Sequence, residues 1–157
     1  MEPKFAIQIN DLHKHYEDVK AVQGVTLNIE AGTVFSLLGP NGAGKSTTIS
    51  VISGLLRPNQ GDVYIFGHSI TRQANKAKEF IGVVPQEIAL YEDLTCRENL
   101  SFWGKMYGLR GAQLEERIEA ILEMIELTDR QKDKVEKYSG GMKRRLNIGV
   151  ALLHQPD

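Results

Sequence analysis

The sequence has little of what marks several large classes of protein. Cys96 is the only cysteine among 157 residues, which excludes an internal disulfide and a cysteine-based metal site. No apolar run approaches the roughly 18 residues that a membrane-spanning helix needs. The 19 basic and 20 acidic side chains nearly cancel, so no broad positive field favours nucleic acid. The first residues, Met1 to Lys4, lack signal-peptide character. We therefore expect a cytoplasmic protein with no nucleic-acid partner.

What the sequence does contain is a glycine-rich stretch that matches G-x-x-x-x-G-K-[ST], the pattern of a phosphate-binding P-loop. The short apolar segment before it, residues 34–38, is predicted to be a buried strand. Residues 47–56 after it are predicted to form a helix that ends before Pro58, because proline cannot extend a helix. The residues of the stretch are Gly39, Pro40, Asn41, Gly42, Ala43, Gly44, Lys45, Ser46 and Thr47.

Each residue type in this stretch suits the binding of a nucleotide phosphate. Glycines permit backbone angles that other residues avoid and let N–H groups approach an anion closely. The helix start adds unpaired N–H groups and roughly half a positive charge. Lys45 supplies a full charge for the β- and γ-phosphates, and the Ser46 hydroxyl is the expected Mg²⁺ ligand, with Thr47 close by. An ATP site is therefore predicted here; the alternative is an ordinary glycine-rich turn.

Strands are predicted on both sides of this stretch. Alternating apolar and polar residues predict half-buried strands at residues 5–9, 25–30 and 62–67, and the apolar run 81–85 predicts a buried parallel strand. Gln86 follows that run, and open α/β sheets bind ligands at the carboxyl ends of their strands. A solvated loop residue is the alternative for Gln86. Tyr16, at a strand end, is either a residue that stacks on adenine or a packing residue.

Residues 88–137 have the pattern of helices rather than strands. Thr95 and Glu98 match a capping box, and Gly108 is suited to end the helix that begins there. A second helix is predicted from about Ala112, with an apolar stripe that we interpret as core. The stripe consists of Leu114, Ile118, Ile121, Leu122 and Ile125. We predict an α-helical subdomain at 88–137 inserted after an α/β nucleotide-binding core at 1–87.

A second glycine-rich helix start follows in residues 138–157. Ser139 is predicted to cap a helix that carries Leu146, Val150 and Leu153 on one side. Gly140 and Gly141 leave backbone N–H groups bare at the positive end of that helix. The segment is therefore either a second anion-binding surface or a plain glycine-rich cap.

In this order, the motifs resemble the ATP-binding domain of ABC transporters over essentially the whole chain. The resemblance implies an α/β fold with a P-loop NTPase core, an antiparallel β portion and an inserted α-helical subdomain. By position, Tyr16 is similar to the aromatic residue that stacks on adenine. Gln86 is similar to the glutamine that helps to hold Mg²⁺ and senses the membrane partner. Ser139, Gly140 and Gly141 resemble the signature that caps the γ-phosphate of the nucleotide held by a second subunit.

Two features depart from the family pattern. The signature is commonly Leu-Ser-Gly-Gly-Gln, whereas Tyr138 and Met142 occupy the outer positions here. The form Ser-Gly-Gly-Met-Lys-Arg-Arg-Leu resembles the branch that pairs with export-type permeases. In addition, the family pattern continues into an apolar strand ending in Asp-Glu and a later histidine, and residues 1–157 contain no such run. The resemblance therefore implies a truncated domain without the catalytic acid or switch histidine, unable to hydrolyse ATP alone.

The leading hypothesis is an ATP-binding subunit that uses ATP and Mg²⁺ to drive a membrane permease, in the direction of efflux. A second ATP-binding domain is expected to pair with it head to tail, at the inner face of the cell membrane. The permease is expected to contact the region of Gln86, with Tyr91, Trp103 and Tyr107 available unless the last two are core residues. The alternatives are a soluble ABC-type ATPase without a permease and a nucleotide-binding fragment without turnover.

Overall fold

The computed structural model describes residues 4–157, and in it the chain divides into two compact units. The first unit ends at Ile81 and the second runs from Gly82 to Asp157. Each has its own buried hydrophobic core. The family-based division into residues 1–87, 88–137 and 138–157 stays a prediction. The interpretation of residues 1–3 as lacking signal-peptide character lies outside the described residues.

The first unit is built on a four-stranded antiparallel sheet with the strand order β2-β1-β3-β4. The strands are β1 (Phe5–Tyr16), β2 (Val19–Glu30), β3 (Gln60–Ile65) and β4 (His68–Ser69). Strands β1 and β2 are longer than the alternation predicts. The reason is a bulge at Asp11, whose φ of 47° interrupts the side-chain alternation without ending the ladder.

Two helices accompany the sheet, α1 (Lys45–Ile52) and α2 (Ala74–Glu79). Helix α1 ends four residues before the predicted position 56, and Pro58 is not what ends it. Gly54 adopts a φ of 68° just after the helix, and the N–H groups of Leu55 and Leu56 both turn back to the carbonyl of Ser50. The core of this unit consists of Ile9, Leu12, Val22, Val51, Val63, Ile65, Ile70 and Ala77.

Two predicted buried strands are wrong. Neither residues 34–38 nor residues 81–85 form a strand. Val34 and Leu38 are 101% and 88% exposed, and Val83 is also exposed. A strand requires a neighbouring chain segment to complete its backbone hydrogen bonds, and within residues 4–157 no strand pairs with either segment. The hydrophobic pattern therefore identified apolar segments, but it did not determine whether they form strands or are buried.

The second unit is helical, as predicted. It contains α3 (Cys96–Met106), α4 (Gly111–Met124) and α5 (Gly140–Leu152), with two 3₁₀ turns at Thr128–Arg130 and Val135–Lys137. The capping box is confirmed, since the Thr95 side chain accepts from the Glu98 N–H and Glu98 accepts from the Thr95 N–H. The predicted apolar stripe is buried. The core of the second unit consists of Cys96, Leu100, Leu114, Ile118, Ile121, Leu122, Ile125, Leu127, Val135, Tyr138, Leu146, Val150 and Leu153.

Candidate functional site

The P-loop of the first unit forms a tight turn into α1 that only glycine allows at one position. Gly44, the residue before the helix, has a φ of 80°. A Cβ atom added there would lie 2.3 Å from the carbonyl oxygen of Ala21 in β2. Both the left-handed backbone and this close approach therefore exclude a side chain. The consequence is that the P-loop backbone lies directly against the sheet, with the free N–H groups of the first turn of α1 beside it.

Lys45 begins α1 and bends back over the loop. Its ammonium donates hydrogen bonds to the carbonyl oxygens of Gly39, at 2.6 Å, and Pro40, at 2.7 Å. A lysine ammonium has three N–H donors, so these bonds leave one donor for a phosphate oxygen. The positive charge is thus held beside the loop glycines by the loop itself.

The rest of the first turn of α1 presents hydroxyl groups and no acidic side chain. Ser46 is exposed and Thr47 half-buried, whereas Thr48 is buried and its hydroxyl donates to the Gly44 carbonyl at 2.9 Å. Thr48 therefore fixes the turn, and Ser46 remains open to a ligand. An anion meets no like charge here and gains from the helix dipole.

Tyr16 lies at the end of the β1–β2 hairpin in the same unit. It pairs with Val19, two residues before the Ala21 carbonyl that approaches Gly44. Its side chain is 43% exposed. The Lys14 ammonium lies 5.3 Å from the centre of its ring and also donates to the Arg57 carbonyl at 2.9 Å. Lys14 has no signal in the sequence, because its partner, the Arg57 carbonyl, lies 43 residues further along the chain.

The other two predicted site segments belong to the second unit. Gln86 is exposed and follows Pro85 in a stretch without regular secondary structure. Ser139 caps α5 as predicted, since its hydroxyl accepts from the Met142 N–H at 3.2 Å. Gly140 and Gly141 are exposed, and a Cβ atom on Gly140 would meet nothing within 4 Å. This helix start is therefore open to an approaching anion.

Tyr138, one of the departures from the family signature, is an anchor for the helix start that follows it. Its side chain is 5% exposed, and its hydroxyl donates to the Arg130 carbonyl at 2.7 Å. Burial raises the pKa of the Tyr138 hydroxyl above its ordinary value of 10.0, so it stays protonated. Tyrosine at this position thus fills the core of the helical unit and leaves Ser139 at the surface.

Residues 4–157 contain neither a membrane-spanning helix nor a cluster of metal-ligating side chains. None of the helices formed by residues 4–157 has the length and apolar character required to cross a bilayer. In the same residues, no group of three or more His, Cys, Asp or Glu side chains is placed to hold a metal ion.

Similarity to known proteins agrees with the motifs. A family model described as ABC transporter matches residues 22–157. The linearmycin resistance ATP-binding protein LnrL of Bacillus subtilis (strain 168) is 52% identical over 151 residues, which cover 96% of this chain and 49% of that protein. The Nod factor export ATP-binding protein I of Paraburkholderia xenovorans (strain LB400) is 39% identical over 155 residues, covering 99% of this chain and 51% of that protein. The chain thus spans about half the length of these relatives.

A solved structure has the same fold over nearly the whole chain. It is the dimeric structure of a bacterial ABC transporter cassette, with a TM-score of 0.80 and 30% sequence identity. The match covers 96% of this chain and 70% of that cassette. Because the family model matches residues 22–157, which include the P-loop, Gln86 and the Ser139 helix start, this chain belongs to the ATP-binding domains of the ABC transporter family.

Proposed function

We propose that this chain is the nucleotide-binding part of an ABC transporter subunit that couples ATP binding and hydrolysis to export by a membrane permease. The observation that carries the proposal is the P-loop, where Gly44 lies against the Ala21 carbonyl and Lys45 is held over the loop. Export is supported by the similarity to the Nod factor export protein and to the linearmycin resistance protein LnrL.

In this proposal, ATP lies along the start of α1 with its phosphates on backbone N–H groups of residues 39–47 other than Pro40, which has none. Lys45 neutralises the β- and γ-phosphates, which is its expected contribution to phosphoryl transfer. Ser46 and Gln86 are the side chains of this chain that we assign to Mg²⁺, which would neutralise charge on the phosphates. Mg²⁺ commonly takes few protein ligands and keeps several waters.

We assign the adenine to the ring of Tyr16. The ring is partly exposed at a hairpin end whose neighbouring strand contacts Gly44. Aromatic stacking on a base is worth about 1–3 kcal/mol in nucleic-acid complexes. If the Tyr16 ring acts by stacking, a Tyr16→Phe variant should bind ATP as well as wild type.

We assign Ser139, Gly140 and Gly141 to the nucleotide of a second ATP-binding domain. The assignment is supported by the open helix start and by the dimeric state of the similar cassette. The P-loop and the Ser139 helix start lie far apart in this sequence and are separate donor surfaces. In head-to-tail pairing, the P-loop of one domain and the Ser139 helix start of the other bind the same phosphate chain.

The permease is assigned to the surface near Gln86, which places the subunit at the inner face of the membrane. Tyr91 is 47% exposed and its ring packs edge-on against Phe102 at 4.8 Å between centroids. Tyr107 is 43% exposed and stacks on His154 at 4.2 Å, whereas Trp103 packs against the core. Tyr91 and Tyr107 are therefore the aromatic residues available to a partner, and aromatic residues are favoured at interface cores.

The experiment is ATP binding by the full-length protein and its Lys45→Ala variant, measured by calorimetry. Losing a hydrogen bond to a charged group costs about 1.5–3 kcal/mol, which corresponds to a ~10–150-fold higher Kd for ATP. Lys105→Ala, an exposed lysine in the last turn of α3, is the matched control and should leave the Kd unchanged. Equal ATP affinity of wild type and Lys45→Ala would sink the proposal.

A further inference from the structure

We infer that Lys143 and Arg144 of α5 are positioning residues for Gln86. One of them binds the backbone just before Gln86, and the other binds a side chain that follows it. Both therefore attach the segment around Gln86 to the helix that begins at Ser139. The inference rests on the proposed function, which gives Gln86 and Ser139 their roles. Neither Lys143 nor Arg144 is expected to contact the nucleotide.

Arg144 holds the residue immediately before Gln86. Its Nη1 donates to the carbonyl oxygen of Pro85 at 2.6 Å. Asn147, one helical turn further along α5 and only 2% exposed, has its Nδ2 3.5 Å from the same oxygen. Because a guanidinium carries a full charge, its bond to a carbonyl is stronger than that of a neutral donor. The backbone on the N-terminal side of Gln86 is thus fixed to α5.

The chain also approaches α5 closely three residues before Pro85. A Cβ atom added to Gly82 would lie 2.6 Å from the carbonyl oxygen of Ala151. Arg144, Asn147 and Ala151 are spaced three and four residues apart, which puts them on one face of the helix. That face therefore contacts residues 82–85 along its length.

Lys143 holds the other side of the Gln86 loop. Its ammonium forms an ion pair with the carboxylate of Glu92, and its own side chain is only 18% exposed. The Glu92 carbonyl accepts from the Glu136 N–H at 3.0 Å. Next to it, Tyr91 exchanges two hydrogen bonds of 2.9 Å with the side chain of Asn99. The residues that follow the loop are therefore as firmly bound to the helical unit as those that precede it.

The consequence is that the loop 86–91 has both ends bound to α5. Residues 82–157 form one compact unit, so Gln86 and Ser139 are parts of the same body. A ligand that binds at Ser139 and displaces the start of α5 would also move Gln86, because Lys143 and Arg144 join that helix to the loop. A small shift at one end is transmitted because packed elements resist deformation.

The test is hydrogen–deuterium exchange of the full-length protein without nucleotide. The variant Lys143→Met/Arg144→Met keeps much of the apolar part of both side chains and removes their charge and donors. We expect the amides of Tyr91 and Leu94, which are hydrogen-bonded at the end of the loop, to exchange at least about fivefold faster than in wild type. Arg145→Met is the matched control, because Arg145 is the next residue of α5 but donates to Ile125 and Glu126. It should leave exchange at Tyr91 and Leu94 unchanged.

Unchanged exchange at Tyr91 and Leu94 in a double variant with wild-type circular dichroism would overturn the inference. If the double variant does not fold, Glu92→Gln removes the ion pair from its exposed partner. That variant must also accelerate exchange of the loop, and exchange equal to wild type would overturn the inference in the same way.

A second readout separates positioning from a merely structural role. The Mg²⁺ concentration that gives half-maximal ATP binding is measured for Gln86→Ala, Arg144→Met and the combined variant. If Arg144 acts through Gln86, the combined variant should be no worse than Gln86→Ala, whereas additive effects would contradict the inference. Failure of the proposed function would appear differently, as no Mg²⁺-dependent ATP binding by the wild-type protein, and the exchange experiment still decides the role of Lys143 and Arg144.

Discussion

Helix α4 and the segment 34–38 carry similar apolar side chains and have opposite environments. In α4, Ile118, Ile121 and Leu122 are all 0% exposed. In the segment before the P-loop, Val34 and Leu38 are 101% and 88% exposed. A helix completes its hydrogen bonds within itself and needs only a surface for its apolar face. A strand needs a neighbour for its backbone before it buries any side chain. Apolar residues at helical spacing therefore predicted burial in α4, whereas the apolar run 34–38 did not predict burial in a strand.

The largest expected effect tests this contrast directly. Ile118→Ala removes a fully buried side chain from the core of the second unit and should lower the free energy of unfolding by about 2–5 kcal/mol. Leu38→Ala is the matched control in the exposed segment and should change it by less than about 0.5 kcal/mol. Urea denaturation of both variants measures the difference. Equal losses would mean that residues 34–38 are buried in the protein in solution.

A smaller effect tests whether the helical unit depends on local hydrogen bonds. Thr95→Ala removes the side chain that accepts from the Glu98 N–H at the start of α3. Loss of such a cap costs about 0.5–2 kcal/mol. Thermal unfolding of Thr95→Ala, compared with Thr71→Ala outside the helices, measures it. A Tm lowered equally in both variants would show that the cap adds nothing specific.

The smallest effect is a loss of stability at alkaline pH, and it tests whether the core of the helical unit excludes solvent. Burial raises the pKa of the Cys96 thiol above its ordinary 9.0 and that of the Tyr138 hydroxyl above 10.0. The folded state thus keeps both protons to higher pH than the unfolded state. The resulting stability is complete at about pH 8 and declines as pH rises, by up to about 1 kcal/mol by pH 9.5.

Urea midpoints at the two pH values measure this decline. A Cys96→Ala/Tyr138→Phe variant removes both titrating groups and should lose less stability over the same interval. A variant that loses as much as wild type would show that other groups cause the decline.

Much of the candidate site was predictable because it is local. Lys45 and the Ser139 cap act on residues within six positions of themselves, so their spacing in the sequence is enough to identify them. Arg144 and Lys14 were not predictable. Their partners, Pro85 and Arg57, lie 59 and 43 residues away, and no spacing rule connects them.

The sequence by itself determined the helices of the second unit and the caps at Thr95 and Ser139. Each of these depends on side chains and N–H groups one or two turns apart, which the spacing of residues specifies. Only the tertiary structure decided the bulge at Asp11, the exposure of residues 34–38 and the attachment of the Gln86 loop to α5. Those features depend on which distant segment supplies the partner atoms, and that choice is made by the packing of the whole unit.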